Sequence, residues 1–425
     1  MQETRSISAI ASHFFVTYQD VTASAMDGLA YWPRANVYQA MFDHYEATGQ
    51  RDSVLDQYLK KLAGFWYNLD FNQYLDDRAW LALAALKAHD LQPNQEYIDH
   101  AAHEHQLMQQ SWSSKCGGGV LWTINGDYKN TIANGLYFEL SSKLFLKTKN
   151  QFYLNEAQKT IDWIMNVAKL YDGKVFQDGI ENIDSTCDIR GGIYSYQLGV
   201  IISGMVNMFK GTNDQSWLEQ ATQMAINSLP LFSTNGTIRE YNSCDLGITN
   251  TDCGNDGPLF KGIYVRGLSR LIAITGLTTD TETIVNSLTS SWNSLISTDL
   301  FSSNPQNLIA GLNWNGLSQR RDAPAQVIAL DLLTSQFVIA GHSYLVCVYS
   351  DAHFGGRQIC YTSPGYYNAP WNDQISSLKV VAQGCSILLA ADGALGGKTK
   401  TFGYGEVENV GSDFNDITSS LQISC

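Results

Sequence analysis

From about residue 33 the chain repeats one pattern: a helical run, a short polar turn, a second helical run, then a longer irregular return. First helices of the pairs start near Ala35, Asp76, Lys129, Tyr194, Phe260 and Arg321. The turns between partners include Ala47-Thr48-Gly49-Gln50, His89-Asp90-Leu91-Gln92-Pro93 and Lys210-Gly211-Thr212-Asn213-Asp214. Second helices carry their own apolar spacing, as in Tyr153-Leu154-Asn155-Glu156-Ala157-Gln158-Lys159-Thr160-Ile161-Asp162-Trp163-Ile164. Five pairs and a truncated sixth form a periodic array. Such an array either stays open as a solenoid with a groove along one face, or closes into an (α/α)6 toroid of inner and outer helices.

Closure is the expectation. Residues at the starts of the first helices are polar or small for a core: Asp76-Asp77, Tyr128-Lys129-Asn130 with Asn134, Asp178-Gly179 in the preceding return, Tyr196-Gln197 and Lys261-Gly262. If the inner helices share one end, these groups converge on one pocket. Buried polar groups without partners are costly, so convergence implies water or a hydrophilic ligand there.

The pair Asp76-Asp77 opens a helical run, with Trp80 one turn on. Asp is a favoured residue at a helix start, where it caps amides and complements the dipole. Adjacent helical positions point about 100° apart, so both acids reach one cavity only where the helix start itself lines it.

The formal charge of −14 argues against a nucleic-acid partner, because phosphate binding needs a basic face. With 44% apolar and 16% charged residues among 425, the chain reads as globular and soluble, in two or three units, with no membrane span expected. Aromatic residues make 12% of the chain, which suits a large helical core and equally sugar stacking. A monomer is expected. Eight cysteines stand at 116, 187, 244 and 253, then at 347, 360, 385 and 425. Four on either side of a boundary near residue 336 fit two disulfide sets and an oxidising compartment. No Cys-x-x-Cys or Cys/His cluster points to zinc. Residues 1 to 12 have no apolar core, so a processed or recombinant start on a secreted protein is expected. The sequon Asn235-Gly236-Thr237 is compatible with a eukaryotic secretory route.

At residues 1–335 the chain resembles glycoside hydrolase family 76, the α-1,6-mannanases and related fungal cell-wall proteins. The stretches that carry the likeness are Leu75-Asp76-Asp77-Arg78-Ala79-Trp80, Cys116-Gly117-Gly118-Gly119-Val120-Leu121-Trp122, Tyr128-Lys129-Asn130-Thr131-Ile132-Ala133-Asn134, Asp178-Gly179-Ile180 and Phe260-Lys261-Gly262-Ile263-Tyr264-Val265-Arg266. The resemblance implies an (α/α)6 barrel and retaining cleavage of α-1,6-mannosidic bonds, with Asp76 as nucleophile and Asp77 as general acid/base. A retaining site wants its carboxyls about 5 Å apart, one ionised and one protonated. Tyr196-Gln197-Leu198-Gly199 stands where the family commonly shows Tyr-Asn-Gln-Gly, which touches subsite detail and linkage preference. Trp32, Trp80 and Trp122 are candidates to stack on sugar, and Asn130, Asn134, Asp178, Tyr196 and Gln197 to bind it. Gly117-Gly118-Gly119 reads as close backbone approach, not a phosphate loop, since no Lys-Ser/Thr follows. The expected partner is α-mannan, cleaved by a secreted or cell-wall enzyme without a catalytic cofactor. A transglycosidase of the same family and a non-catalytic wall-binding protein are the competing readings.

Residues 336–425 change texture to short β-type runs such as Tyr344-Leu345-Val346-Cys347-Val348-Tyr349 and Ser386-Ile387-Leu388-Leu389, with frequent glycine. Tyr349-Ser350-Asp351-Ala352-His353-Phe354-Gly355-Gly356 resembles the Greek-key signature of the βγ-crystallins, with a degenerate copy at residues 390–397. Asn372-Asp373-Gln374-Ile375-Ser376-Ser377 and Asn415-Asp416-Ile417-Thr418-Ser419-Ser420 match that family's calcium motif. The resemblance implies structural Ca2+ held by Asn372, Asp373, Gln374 and Ser376 and by Asn415, Asp416, Ile417 and Ser419, since calcium takes six to eight oxygens. The alternative is turn-shaping by Asx and Ser. The last four cysteines would staple this small module.

Overall fold

The computed structural model describes residues 18, 22, 29–49, 53–65, 72–241, 256–298, 300–304, 307–316, 318, 320–343, 345–361, 364–371, 373–382 and 384–425. Asn372, Cys244 and Cys253 lie outside them. The chain divides into two units, Met1–Phe337 and Val338–Cys425.

Among the described residues, the first unit contains five helix pairs and a final helix. The pairs are α1 (Tyr31–Thr48) with α2 (Ser53–Phe65), α3 (Leu75–Leu91) with α4 (Gln95–Gln110), α5 (Thr131–Thr148) with α6 (Gln151–Asp162), α7 (Ser195–Thr212) with α8 (Ser216–Ser228), and α9 (Gly257–Thr275) with α10 (Glu282–Thr298). Helix α11 spans Ala323–Ser343. Start and stop chemistry is local. Asn94, Asn130 and Asn150 accept amide hydrogen bonds from Glu96, Ala133 and Phe152 at the starts of α4, α5 and α6. Left-handed Gly49, Lys149 and Asn213 end α1, α5 and α7.

The two helices of a pair have different environments. Helix α5 is buried from Thr131 through Ser142, polar positions included, whereas α6 buries Leu154, Glu156, Ala157, Thr160 and Ile161 and leaves its other face wet. First helices pack on one another in chain order, α1 on α3, α3 on α5, α5 on α7 and α7 on α9. Arg266 of α9 then grips Asp331 of α11 and Asn36 of α1, and His44 of α1 hydrogen-bonds Thr334 of α11 at 3.3 Å. Helices α7 and α9 cross with their backbones in contact. A Cβ on Gly199 would fall 2.3 Å from the Ile263 carbonyl oxygen, and one on Gly267 would fall 2.4 Å from that of Gly199.

The returns between pairs carry short strands, which include β1 (Lys129–Asn130), β2 (Gly179–Glu181) and β3 (Asp188–Arg190), paired β1-β2-β3, and the hairpins β4-β5 (Ser233–Thr234, Thr237–Ile238) and β6-β7 (Leu300–Asn304, Asn307–Ala310). Cys116 and Cys187 form a disulfide that joins the Gly117-Gly118-Gly119 turn to the start of β3.

The expectation that no stretch is long and apolar enough for a span needs correction. Ala323–Gly341 of α11 has a mean hydropathy of 1.4 over 19 residues, because isolated polar residues such as Gln326 and Asp331 break an apolar run without lowering the average much. That window is 72% buried, and a helix apolar all round is what a core position requires.

The second unit has two four-stranded antiparallel sheets built from β8 (Val346–Tyr349), β9 (Gln358–Tyr361), β10 (Gly365–Asn368), β11 (Ser377–Val380), β12 (Ser386–Ala390), β13 (Thr399–Gly403), β14 (Gly405–Val407) and β15 (Ser420–Ser424). Their orders are β14-β11-β8-β9 and β10-β15-β12-β13. Each half of the module thus lends its third strand to the other's sheet. Val346, Val348, Leu378, Ile387, Leu389, Phe414, Leu421 and Ile423 fill the core. His353 and Phe354 (φ 54° and 61°) have the same left-handed backbone as Ala394 and Leu395 (52° and 58°), so the degenerate copy keeps the conformation. Disulfides Cys347–Cys360 and Cys385–Cys425 staple β8 to β9 and the start of β12 to the chain end.

Candidate active site

The start of α3 is fixed from two sides. The Leu75 amide donates to the Trp122 carbonyl at 2.9 Å, and the Ile124 amide to that of Gln73 at 3.0 Å. Beneath, the buried Arg78 guanidinium donates to Glu104 at 2.6 Å and to the Asn72 carbonyl at 3.1 Å. The residue at the cap position is Tyr74, whose side chain makes no cap bond, so Asp76 and Asp77 are the second and third residues of the helix.

Their hydrogen bonds differ in kind. Asp76 Oδ2 accepts from the Trp122 indole Nε1 at 2.9 Å and Oδ1 from the Asp77 amide at 3.1 Å. Asp77 Oδ2 accepts from Asn72 Nδ2 at 2.9 Å, and Oδ1 has no bond among the described residues. Burial, and then the charge of Asp77, push the Asp76 carboxyl up to about 7. Burial pushes Asp77 to about 6 against the lowering bond from Asn72, with a further upward push from Asp256. The two acids titrate as a pair that keeps one proton near neutrality. Burial alone favours that proton on Asp76. The donors decide otherwise: both Asp76 oxygens face N–H groups that only a carboxylate fully satisfies, whereas Asp77 Oδ1 is free to carry a proton.

Aromatic rings wall this pair. Trp122 packs against Tyr74 and Tyr128, at centroid distances of 5.1 and 6.0 Å. Tyr128 donates to Asp178 Oδ2 at 2.5 Å, and Arg190 stands 3.9 Å from the same oxygen, so Asp178 is held by the β1-β2-β3 return. Trp32 lies 6.3 Å from Trp80 and 6.1 Å from Phe260, which stacks on Tyr196 at 4.1 Å.

Not every expected sugar contact faces outward. Asn134 is fully buried, and its amide is spent on the Val120 amide and carbonyl and the Asn130 carbonyl. It holds the strand before Trp122 in place instead of meeting a ligand. Asn130 caps α5, and Trp80, 2% exposed, serves as packing beneath Trp32. Gln197 is buried with neither end of its amide hydrogen-bonded among the described residues. Trp32, Trp122, Asp178 and Tyr196 remain partly exposed.

Residues that sequence reasoning missed are Asn72, Arg190 and Asp256. Asp256 stands before Gly257-Pro258, which reads as an ordinary helix start. Its carboxylate accepts instead from Trp32 Nε1 at 3.0 Å.

Two neighbouring carboxyls in opposed hydrogen-bonding states, under a wall of indoles and phenols, are the equipment of the glycosidase class. The family model for glycosyl hydrolase family 76 matches residues 4–344, and the chain belongs to that family. It is 26% identical to the mannan endo-1,6-alpha-mannosidase DCW1 of Candida glabrata over 57% of this chain and 58% of that protein. It is 31% identical to DFG5 of Saccharomyces cerevisiae, also a mannan endo-1,6-alpha-mannosidase, over 41% of this chain and 39% of that one. The chain thus spans well under two thirds of the length of these relatives. In fold it is similar to the GH76A alpha-1,6-mannanase of Salegentibacter sp. HEL1_6, with a TM-score of 0.67, 23% identity, and coverage of 78% of this chain and 99% of that one.

Proposed function

We propose that this chain is a secreted retaining glycoside hydrolase that cleaves α-1,6-mannosidic linkages of α-mannan in the endo manner. The observation that carries the reading is the Asp76-Asp77 pair with Trp122 Nε1 aimed at Asp76. Asp76, kept anionic by its two N–H donors, attacks the anomeric carbon while Asp77 gives its proton to the departing glycosidic oxygen. The mannosyl–Asp76 ester then yields to water, whose proton passes to Asp77, and the configuration is retained. In the Salegentibacter enzyme, replacement of two consecutive aspartates gave an inactive variant, which was obtained in complex with α-1,6-mannotetrose. The helix contacts that run α1-α3-α5-α7-α9-α11 and back to α1 support an (α/α)6 barrel with this pair at its mouth.

The test is oligosaccharide release from unbranched α-1,6-mannan across pH. The pair is competent only when it holds one proton, so activity is expected to rise through about 6 and fall through about 7. Activity flat from pH 4 to pH 9 would remove the pair from the mechanism. Products longer than the donor would instead show transfer to a sugar acceptor, the wall-building variant of the same chemistry.

For the second unit we propose a βγ-crystallin-like Greek-key fold with structural calcium. The exchanged strands support the fold. The two motifs also reach across to each other: Ser376 Oγ, whose hydrogen goes to the Ser350 carbonyl, lies 3.3 Å from Asp416 Oδ1, and Ser419 Oγ donates to Asp373 Oδ1 at 3.4 Å. Both aspartates have left-handed backbones, at φ 57° and 58°, which turn the neighbouring carbonyls. Each crossed pair offers one carboxylate and one hydroxyl, with backbone carbonyls of Gln374 and Ile417 beside them, a hard-oxygen set that suits Ca2+. Calcium a hundredfold above its dissociation constant is expected to stabilise this unit by about 2.7 kcal/mol. Thermal melts with calcium and with chelator measure it; superimposable melts would refute the sites.

A further inference from the structure

Asp256 occupies the cap position of α9, yet its side chain makes no cap bond. A favoured capping residue has been turned away from its own helix. Its Oδ1 accepts from the indole of Trp32, 224 positions earlier in the chain. Its Oδ2 has no hydrogen-bond partner among the described residues. The Trp32 ring lies beside Phe260, one turn into the helix that Asp256 begins, and beside Trp80, one turn beyond Asp76 and Asp77. Asp256 stands close enough to the acid pair for its charge to act on Asp77 and on Tyr196.

On the reading that Asp77 is the general acid, Asp77 faces the oxygen that departs. Asp256 acts on Asp77, and its partner Trp32 packs on Trp80 one turn along the same helix, so the sugar that departs with that oxygen meets these two groups. We infer that Trp32 and Asp256 form the subsite for the mannose on the leaving-group side, where the indole stacks on the ring and Asp256 Oδ2 accepts its hydroxyl hydrogens. Carboxylate–hydroxyl bonds are the stronger, charge-assisted kind, and an indole supplies the apolar area that a pyranose face needs.

The same subsite receives whatever attacks the mannosyl–Asp76 ester. A sugar bound there presents a hydroxyl to the anomeric carbon, its proton goes to Asp77, the new C–O bond forms, and the bond to Asp76 breaks with its electron pair returning to the carboxylate. Water carries out the same step without needing the subsite. Asp256 thus sets the partition between transfer and hydrolysis, which the acid pair alone leaves undetermined.

The experiment supplies an aryl α-mannobioside as donor and α-1,6-mannobiose as acceptor, and compares wild type, Asp256→Ala, Asp256→Asn and Trp32→Phe. The readout is the ratio of transfer product to hydrolysis product at fixed acceptor concentration. Because it is a ratio within one enzyme, it is independent of the fraction of a variant that is folded. Asp256→Ala is expected to lower it at least tenfold and to raise the acceptor concentration for half-maximal transfer by a similar factor. Asp256→Asn, which still accepts one bond, is expected to fall between. A ratio unchanged in Asp256→Ala overturns the inference. Wild type without any turnover refutes the mannanase reading instead. In that event α-1,6-mannotriose binding to Asp76→Asn, with and without Asp256→Ala, decides: a tenfold loss of affinity supports the subsite and equal affinity sinks it.

Discussion

Asp76→Asn is expected to lower mannan cleavage by at least about 10^4-fold and to raise the stability of the helical unit at pH 8. Asparagine keeps an oxygen for Trp122 Nε1, sets its NH2 against the Asp77 amide at a cost smaller than the ionisation penalty it removes, and is a far weaker nucleophile, so the chemistry stops. The stability gain follows from the raised carboxyl. The pair keeps a proton up to about 7, well above the ordinary 3.8, and replacing Asp76 removes one of its two ionisations. A carboxyl so placed penalises the fold once it must ionise. The penalty is absent below pH 3.8, grows as pH climbs toward 7 and is complete above it, on the order of 4 kcal/mol. Thermal melts should therefore separate variant from wild type at pH 8 and coincide at pH 3. A variant that is inactive but no more stable at pH 8 would mean Asp76 is comfortably solvated as an anion. Asp77→Asn should lose mannan cleavage as well, yet regain much of the first step with a donor whose leaving group needs no proton; Asp76→Asn should not. Rescue in the reverse order would exchange the two roles.

Much of the helical unit was legible because each inner helix announces its start. Expected starts near Lys129, Tyr194 and Arg321 lie within two residues of Thr131, Ser195 and Ala323, where α5, α7 and α11 begin. Asn caps and left-handed closing residues act over one turn, so they are written in short stretches of sequence. The acid pair was legible for the same reason. What the pair touches was not. Asn72 and Asn134 are alike in composition and both near the site, yet Asn72 donates to Asp77 while Asn134 is consumed by the Val120 backbone. Only the path of the irregular return from Trp112 to Asn130 decides between those uses. Asp256 lies four residues before the expected start at Phe260 with nothing local to mark it, and only its bond to Trp32, 224 positions away, brings it to the site. In the second unit the strand runs were visible, but their exchange between sheets is a property of pairing as distant as Leu378 with Val407 and Gly365 with Ile423, which no local pattern carries.

The same limit applies to the interaction that ties α9 and α11 to α1. Arg266 reads in sequence as one of three cations in an otherwise apolar helix, and in the structure it is 4% exposed at the junction of three helices. It holds Asp331 of α11 through two parallel bonds of 2.9 and 3.0 Å, and Asn36 of α1 at 2.7 Å. Asp43 of α1 stands 3.6 Å away, already engaged by Lys87 and Arg270. Burial lifts the Asp331 carboxyl to about 6 although Arg266 opposes the rise. Arg266→Met is expected to cost about 3–5 kcal/mol at pH 7, because it leaves a buried carboxylate without its counter-charge. The sign with pH follows from the same carboxyl. Without Arg266 its value climbs further, so the loss is largest at neutral and alkaline pH and shrinks toward pH 4, where Asp331 takes up a proton in folded and unfolded chains alike. Arg266→Met with Asp331→Leu should recover most of the loss, since apolar replacements of a buried pair are tolerated far better than half of one. Denaturant unfolding of the two single variants and the double measures the cycle. If Arg266→Met alone unfolds within about 1 kcal/mol of wild type, or the double variant is no better than the single, α9, α11 and α1 are held together by packing and not by this ion pair.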